Sequence, residues 1–99
     1  MAGGLRFERE PRKGTANVRR HGVSFEEASS AFYDEDAMVI DDPEHSESEE
    51  RFVLLGLSAN LRLLVVPHCY RKGGGVIRII PAWKGDRRDH VDYFGRFRR

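Results

Sequence analysis

Apolar residues recur along the chain first at helical spacing and then in short strand-like runs. Leu5 and Phe7 alternate with polar neighbours and predict a short strand over Leu5–Arg9. Pro11 suits the first turn of a helix, where its missing N–H leaves no bond unmade, so a helix is expected over Pro11–His21. Its apolar content is thin (Ala16 and Val18), and Gly14 and Thr15 weaken it further, so packing must hold it. Phe25, Ala28, Ala31 and Phe32 return at helical spacing and predict a second helix over Phe25–Phe32 with that stripe on the core.

The pattern then changes to strands. Ala37–Asp41 is apolar and β-branched, and residues 42–49 form a polar loop in which His45 is expected to be exposed. Arg51–Leu57 pairs naturally with Leu61–Tyr70 through a turn near Ser58-Ala59-Asn60. Arg71-Lys72-Gly73-Gly74-Gly75 connects onward to a strand over Val76–Ala82. Pro67 cannot donate to a ladder, which points to an edge, a bulge or a bend there. These strands are apolar on both faces, and two helices cover only one, so a partner or a further element is expected on the other. Lys84–Phe94 reads as a polar final helix touching the core through Val91 and Phe94, followed by a basic tail over residues 95–99. The order β-α-α-β-β-β-β-α predicts an α+β fold, two N-terminal helices packed on an antiparallel sheet of four to five strands, with a short C-terminal helix.

Between the first two helices the local chemistry is specific. Gly22 can take the left-handed conformation that closes a helix. Ser24 is a good N-cap, and Glu27 three residues later completes the pattern of a capping box. A sharp corner results, with Arg19, Arg20 and His21 at its edge.

Ninety-nine residues make one domain, 1–99, with one core. The single cysteine, Cys69, permits no intrachain disulfide and lies in an apolar run, as a buried inert thiol does. No paired cysteine or histidine spacing suggests a metal, and Gly73-Gly74-Gly75 lacks the residues of a phosphate-binding P-loop, so no cofactor is expected. No secretory signal and no apolar run of membrane-spanning length is read, so a cytoplasmic protein without membrane contact is the simplest expectation. The net charge of +1 conceals an asymmetry. Residues 34–50 are acidic without a Lys or Arg, whereas from Arg51 onward eleven basic residues face three acidic ones. Such a chain can turn a basic face to phosphate, or merely carry a solvated, ion-paired surface.

Arg78 stands out, because it interrupts Val76-Ile77-Arg78-Ile79-Ile80. A charge there needs a carboxylate, such as Asp41, Asp42 or Glu50, or else a ligand. Arg51 opens a strand beside acidic residues, with Glu47 or Glu49 as possible ion-pair partners. Arg71 ends a strand at the glycine connection. His21 at a helix C-terminus either caps carbonyls or transfers protons. Trp83 can stack on a base or fill the core or a partner interface, and Lys84 is either an electrostatic contact for a polyanion or a surface lysine.

Phe7, Pro11, Lys13, Asn17 and the run His21-Gly22-Val23-Ser24-Phe25-Glu26-Glu27-Ala28 resemble the N-terminal signature of the BrnT family, bacterial ribonuclease toxins of type II toxin–antitoxin pairs. Arg9, Glu10 and Arg20 depart from it, where the family usually has Trp, Asp and Lys. Arg51, Gly56, Arg71 and the run Arg78-Ile79-Ile80 with Ala82 and Lys84 extend the likeness. The resemblance implies a RelE-like fold and a metal-independent endoribonuclease that inhibits translation. It implies His21, Arg51 and Arg78 as catalytic residues and Arg71, Lys84 and Tyr93 as RNA contacts, to which Arg20 at the corner and Trp83 by stacking are added as expected RNA contacts of this chain. It further implies a cognate BrnA-like antitoxin, through which promoter DNA is met indirectly. Pro81 and Trp83 replace a usual Ser and Arg. They raise an alternative, a weak or inactive homologue acting as a binding module with its antitoxin. A third reading is a small dimeric α+β domain whose charges only solubilise it.

Overall fold

The computed structural model describes residues 4–45 and 49–97; Glu47 in the acidic loop and Arg98 and Arg99 in the tail lie outside them. Three α-helices are present among the described residues: α1 (Pro11–His21), α2 (Phe25–Ser30) and α3 (Arg87–Gly95). Five strands, β1 (Met38–Asp41), β2 (Arg51–Leu57), β3 (Leu63–Arg71), β4 (Val76–Ile79) and β5 (Trp83–Lys84), form one antiparallel sheet. The spatial order is β1-β2-β3-β4, and β5 also pairs with β3. The α+β class follows.

The strand expected over Leu5–Arg9 shrinks to a single bridge, Phe7 beside Ile77, and it runs parallel to β4. Glu8 N–H donates to Ile77 O at 2.8 Å, and Ile77 N–H donates to Arg6 O at 2.8 Å. The second helix stops at Ser30 and tightens into a 3-10 turn over Ala31–Tyr33. β4 ends at Ile79, and the start expected for the last helix is taken by β5, so α3 begins three residues later than Lys84. The side chain of Asp86 caps α3 by accepting from Asp89 N–H at 2.8 Å, and Asp89 reciprocates with Asp86 N–H at 2.9 Å.

Pro67 lies in the central strand, contrary to an edge placement. Its carbonyl accepts from Ile80 N–H at 2.9 Å, on the side where β4 has ended and β5 has not begun. Backbone N and O of one strand residue point the same way, so the missing donor falls at that break and no ladder bond is lost.

Along β2, Phe52, Leu54 and Gly56 sit opposite His68, Val66 and Leu64 on β3. This is the face that α2 and the 3-10 turn cover: Val23, Ala28, Ala31, Leu54, Leu64, Val66, Ile79 and Ala82 make one core, with Phe7, Phe25 and Phe32 against it. Gly56 permits the approach, since a Cβ there would lie 3.0 Å from Ala31 O. Only α2 of the two N-terminal helices packs broadly on the sheet. α1 buries Asn17 alone, as its sparse apolar content dictates. α3 reaches the core through Tyr93, which is 2% exposed, whereas Val91 and Phe94, expected in that role, are exposed.

The second face carries Arg51, Val53 and Leu55 opposite Cys69, Pro67 and Val65. Val53, Leu55 and Pro67 remain half-buried there.

Candidate RNA-binding and catalytic site

The corner after α1 is built as its sequence suggests, with one difference. Gly22 adopts φ 70°, and its N–H donates to Val18 O at 2.8 Å. Ser24 caps α2 by accepting from Glu27 N–H at 3.0 Å. Glu27 does not complete a capping box. Its carboxylate instead binds the Arg62 guanidinium and accepts from Ser58 Oγ at 2.7 Å. The Arg62 contact holds the Glu27 carboxyl below the usual range, and Arg62 also donates to Gly22 O at 2.9 Å. The corner is thereby tied to the β2–β3 turn.

Asn17 fixes the same corner from the other side. Its Nδ2 donates to Val23 O at 2.8 Å and to Ala82 O at 2.9 Å, and its Oδ1 accepts from Ala82 N–H at 3.1 Å. The end of α1 therefore stands over the chain segment that leaves β4. A cleft of about 360 Å³ opens between them, lined among others by Lys13, Arg20, His21, Arg78, Ile80 and Pro81. Four basic residues, one of them a histidine, thus line a single depression.

Arg51, Cys69 and Arg78 are in register across β2, β3 and β4. Arg71, two residues beyond Cys69, shares their face. The carboxylate expected to meet Arg78 was Asp41, Asp42 or Glu50. The one found is Glu8, whose oxygens lie 3.7 Å from Nε of both Arg71 and Arg78. The parallel bridge at Phe7 accounts for this, because it lays the N-terminal segment along β4. Cys69 is fully buried and donates through Sγ to Glu49 Oε2 at 2.8 Å. Burial and then the Glu49 carboxylate push its thiol up to about 11, so it stays protonated and unreactive.

Of the other candidates, Trp83 is 37% exposed with its ring centroid 6.0 Å from that of His21, at the mouth of the corner. Lys84 is exposed in β5. Arg51 lies on the sheet face and not among the residues lining the cleft. Tyr93 is buried, and its hydroxyl donates to Asp34 Oδ2. Burial and then Asp34 raise that phenol to about 12. His68 is a core residue. It is fully buried among the rings of Phe32, Phe52 and Tyr70, and burial lowers its pKa.

Neither Lys13, which stands in the family signature, nor Glu8 is among the site residues expected from the sequence. Lys13, Asn17, Arg20 and His21 recur at i, i+4, i+7 and i+8, one face of a helix, and that spacing was available to find Lys13. Glu8 carried no such signal.

A family profile for the ribonuclease toxin BrnT of type II toxin–antitoxin systems matches residues 10–89, most of the chain and all of the corner, β2, β3 and β4. The chain belongs to the BrnT family. No curated protein gives a significant match to it. Membership of a type II toxin family implies a cognate antitoxin as partner. The matched span includes the run His21 to Ala28, which forms the corner and the start of α2. Among the described residues no helix is long and apolar enough to cross a membrane, and no group of three or more His, Cys, Asp or Glu is arranged to hold a metal ion.

Proposed function

We propose that this BrnT chain is an endoribonuclease that cleaves RNA without a metal ion and so inhibits translation in the cytoplasm. The observation that carries the reading is the convergence of Arg20, His21 and Arg78 on one cleft in a chain of this family. His21 takes the proton of a ribose 2′-OH, whose oxygen attacks the adjacent phosphorus. The P–O5′ bond breaks, the imidazolium returns the proton to the leaving 5′ oxygen, and a 2′,3′-cyclic phosphate remains. Arg78 offsets the charge that gathers on the phosphorane, since a guanidinium meets two oxygens at once and does not deprotonate. Arg51, outside the cleft on the same sheet face as Arg78, adds to the positive field from there. Arg20, Arg71 and Lys84 hold the flanking chain, and Trp83 offers a ring beside His21 for a base. Tyr93 takes no part in this scheme, because its hydroxyl is committed to Asp34. The α+β order and antiparallel sheet support a RelE-like fold. A BrnA-like antitoxin would silence the enzyme and alone contact promoter DNA.

The test is cleavage of a labelled single-stranded RNA in EDTA. The parent should cut and Arg78→Ala should not. A folded parent that neither cuts nor binds RNA would end the proposal.

A second reading has its own observation. Pro81 lines the cleft, and Trp83 lies beside His21, at positions where the BrnT pattern has Ser and Arg. The chain would then be a weak or inactive toxin that works as a binding module with its antitoxin. A sharp rise in cleavage on Trp83→Arg, from little or none in the parent, would favour it.

A further inference from the structure

The arginine row on the second sheet face already has anionic company. Glu8 reaches it from the N-terminal segment and stands 3.7 Å from both Arg71 and Arg78. Glu49 reaches it from the approach to β2 and accepts the Cys69 thiol at 2.8 Å, between the register positions of Arg51 and Arg78. The thiol bond first, then the charges of Arg71, Arg78 and Arg51, hold its carboxyl below the usual range. These two acids come from different parts of the chain and share two cations, Arg71 and Arg78.

The row is open enough to exchange such partners. The side chains of Glu8, Arg71 and Arg78 are 30%, 40% and 25% exposed. At 3.7 Å the Glu8 pairs lie beyond hydrogen-bond reach, and part-exposed pairs of this kind are weakly held. A carboxylate and a phosphodiester each present two oxygens sharing one negative charge, so the same guanidinium forks accept either. We infer that Glu8 and Glu49 are resident ligands of the arginine row, standing where RNA phosphates bind, and that they set RNA affinity by competing for Arg71 and Arg78. The inference rests on the RNA-binding reading above. Purely structural struts would hold the arginines in place and leave affinity unchanged or improve it.

Anisotropy of a labelled 2′-O-methyl oligoribonucleotide, which binds without being cut, distinguishes these roles. At 0.1 M salt Glu8→Gln and Glu49→Gln should each tighten binding about threefold. Each should also steepen the dependence of log Kd on log salt by roughly 0.7, one more phosphate neutralised by an arginine instead of by the chain. Glu35→Gln is the control, an exposed acid beside Asp34, which bonds the Leu57 end of β2 away from Arg51. It should alter neither value. Thermal melts of both glutamine variants establish that they are folded. Unchanged or weaker binding by both, or an equal gain from Glu35→Gln, would overturn the inference. If Arg78→Ala still weakens binding in that case, the RNA-binding reading survives alone. If Arg78→Ala also has no effect, both fall.

Discussion

Asn17 on α1 and Ala82 between β4 and β5 bind each other twice, through Nδ2 to the Ala82 carbonyl at 2.9 Å and through the Ala82 N–H to Oδ1 at 3.1 Å. This reciprocal pair joins the helix that carries His21 to the segment that follows Arg78. Both residues are buried, so truncation leaves backbone groups without partners and without water. Asn17→Ala should cost about 1–3 kcal/mol in urea unfolding. Single-turnover cleavage, measured where the variant is fully folded, should fall by at least about tenfold, because His21 is no longer fixed relative to Arg78. A folded variant with parental cleavage would show that the clamp matters only for stability.

The Glu27–Arg62 pair makes a prediction for acid. Glu27 is held below its ordinary value of 4.5 chiefly by Arg62, against the opposing effect of burial. Its folded pKa is depressed, so the stabilisation is complete above about 4.5 and is lost as pH falls through the folded value. Glu27→Gln should lower stability by about 1–2 kcal/mol at pH 7, a figure kept small because Arg62 is 35% exposed. The difference from the parent should shrink steadily below pH 4.5. Urea midpoints from pH 7 to pH 3 check this, and a constant difference across that range would contradict it.

Legibility in the sequence follows the range of the interactions involved. α1 and β2 have the expected bounds because local signals set them: Pro11 and Gly22 for the helix, and an apolar run between polar segments for the strand. The capping box expected at Ser24 is only half made, since Arg62, thirty-five residues away, takes the Glu27 carboxylate. The complete one occurs at Asp86 and Asp89, inside a stretch that reads as continuous helix. β5 is too short and too polar to announce itself. The arginines could be named as candidates, but not their common face, which depends on strand register. Glu8 was out of reach for a stronger reason: a single parallel bridge between residues seventy positions apart has no periodic signature.

Tyr93 supplies the alkaline counterpart. Burial first, then Asp34, raises its phenol from 10.0 to about 12. A raised folded pKa means that the contribution is complete below pH 10 and is lost as pH climbs through 12. Asp34 also accepts from Leu57 N–H at 2.8 Å and from Asp36 N–H at 2.9 Å, so it keeps partners without the phenol. Tyr93→Phe should therefore cost only about 1 kcal/mol at neutral pH. Between pH 10 and 11.5 the parent should lose stability faster than the variant. RNA binding by folded Tyr93→Phe should equal that of the parent, and a clear loss would return this residue to the site.

Arg78 allows charge to be separated from shape. It sits on β4 between Ile77 and Ile79, both buried, so its backbone is anchored while its side chain, on the opposite face, reaches Glu8. Lysine at this position keeps a positive charge but presents a point, not a fork. If Arg78 only attracts RNA, Arg78→Lys should bind and cut nearly as the parent does. If it spans two oxygens of the phosphorane, binding should survive while the rate falls, because the second hydrogen bond matters most where charge is developing. A charge-assisted hydrogen bond is worth about 1.5–3 kcal/mol, so the rate should drop by roughly ten- to a hundredfold. Arg78→Ala should lose both affinity and rate. Single-turnover rates and 2′-O-methyl RNA affinities for the three proteins separate the cases. Equal loss of affinity and rate in the lysine variant would reduce Arg78 to a binding residue and move the catalytic charge elsewhere in the cleft, with Lys13 and Arg20 the next to substitute.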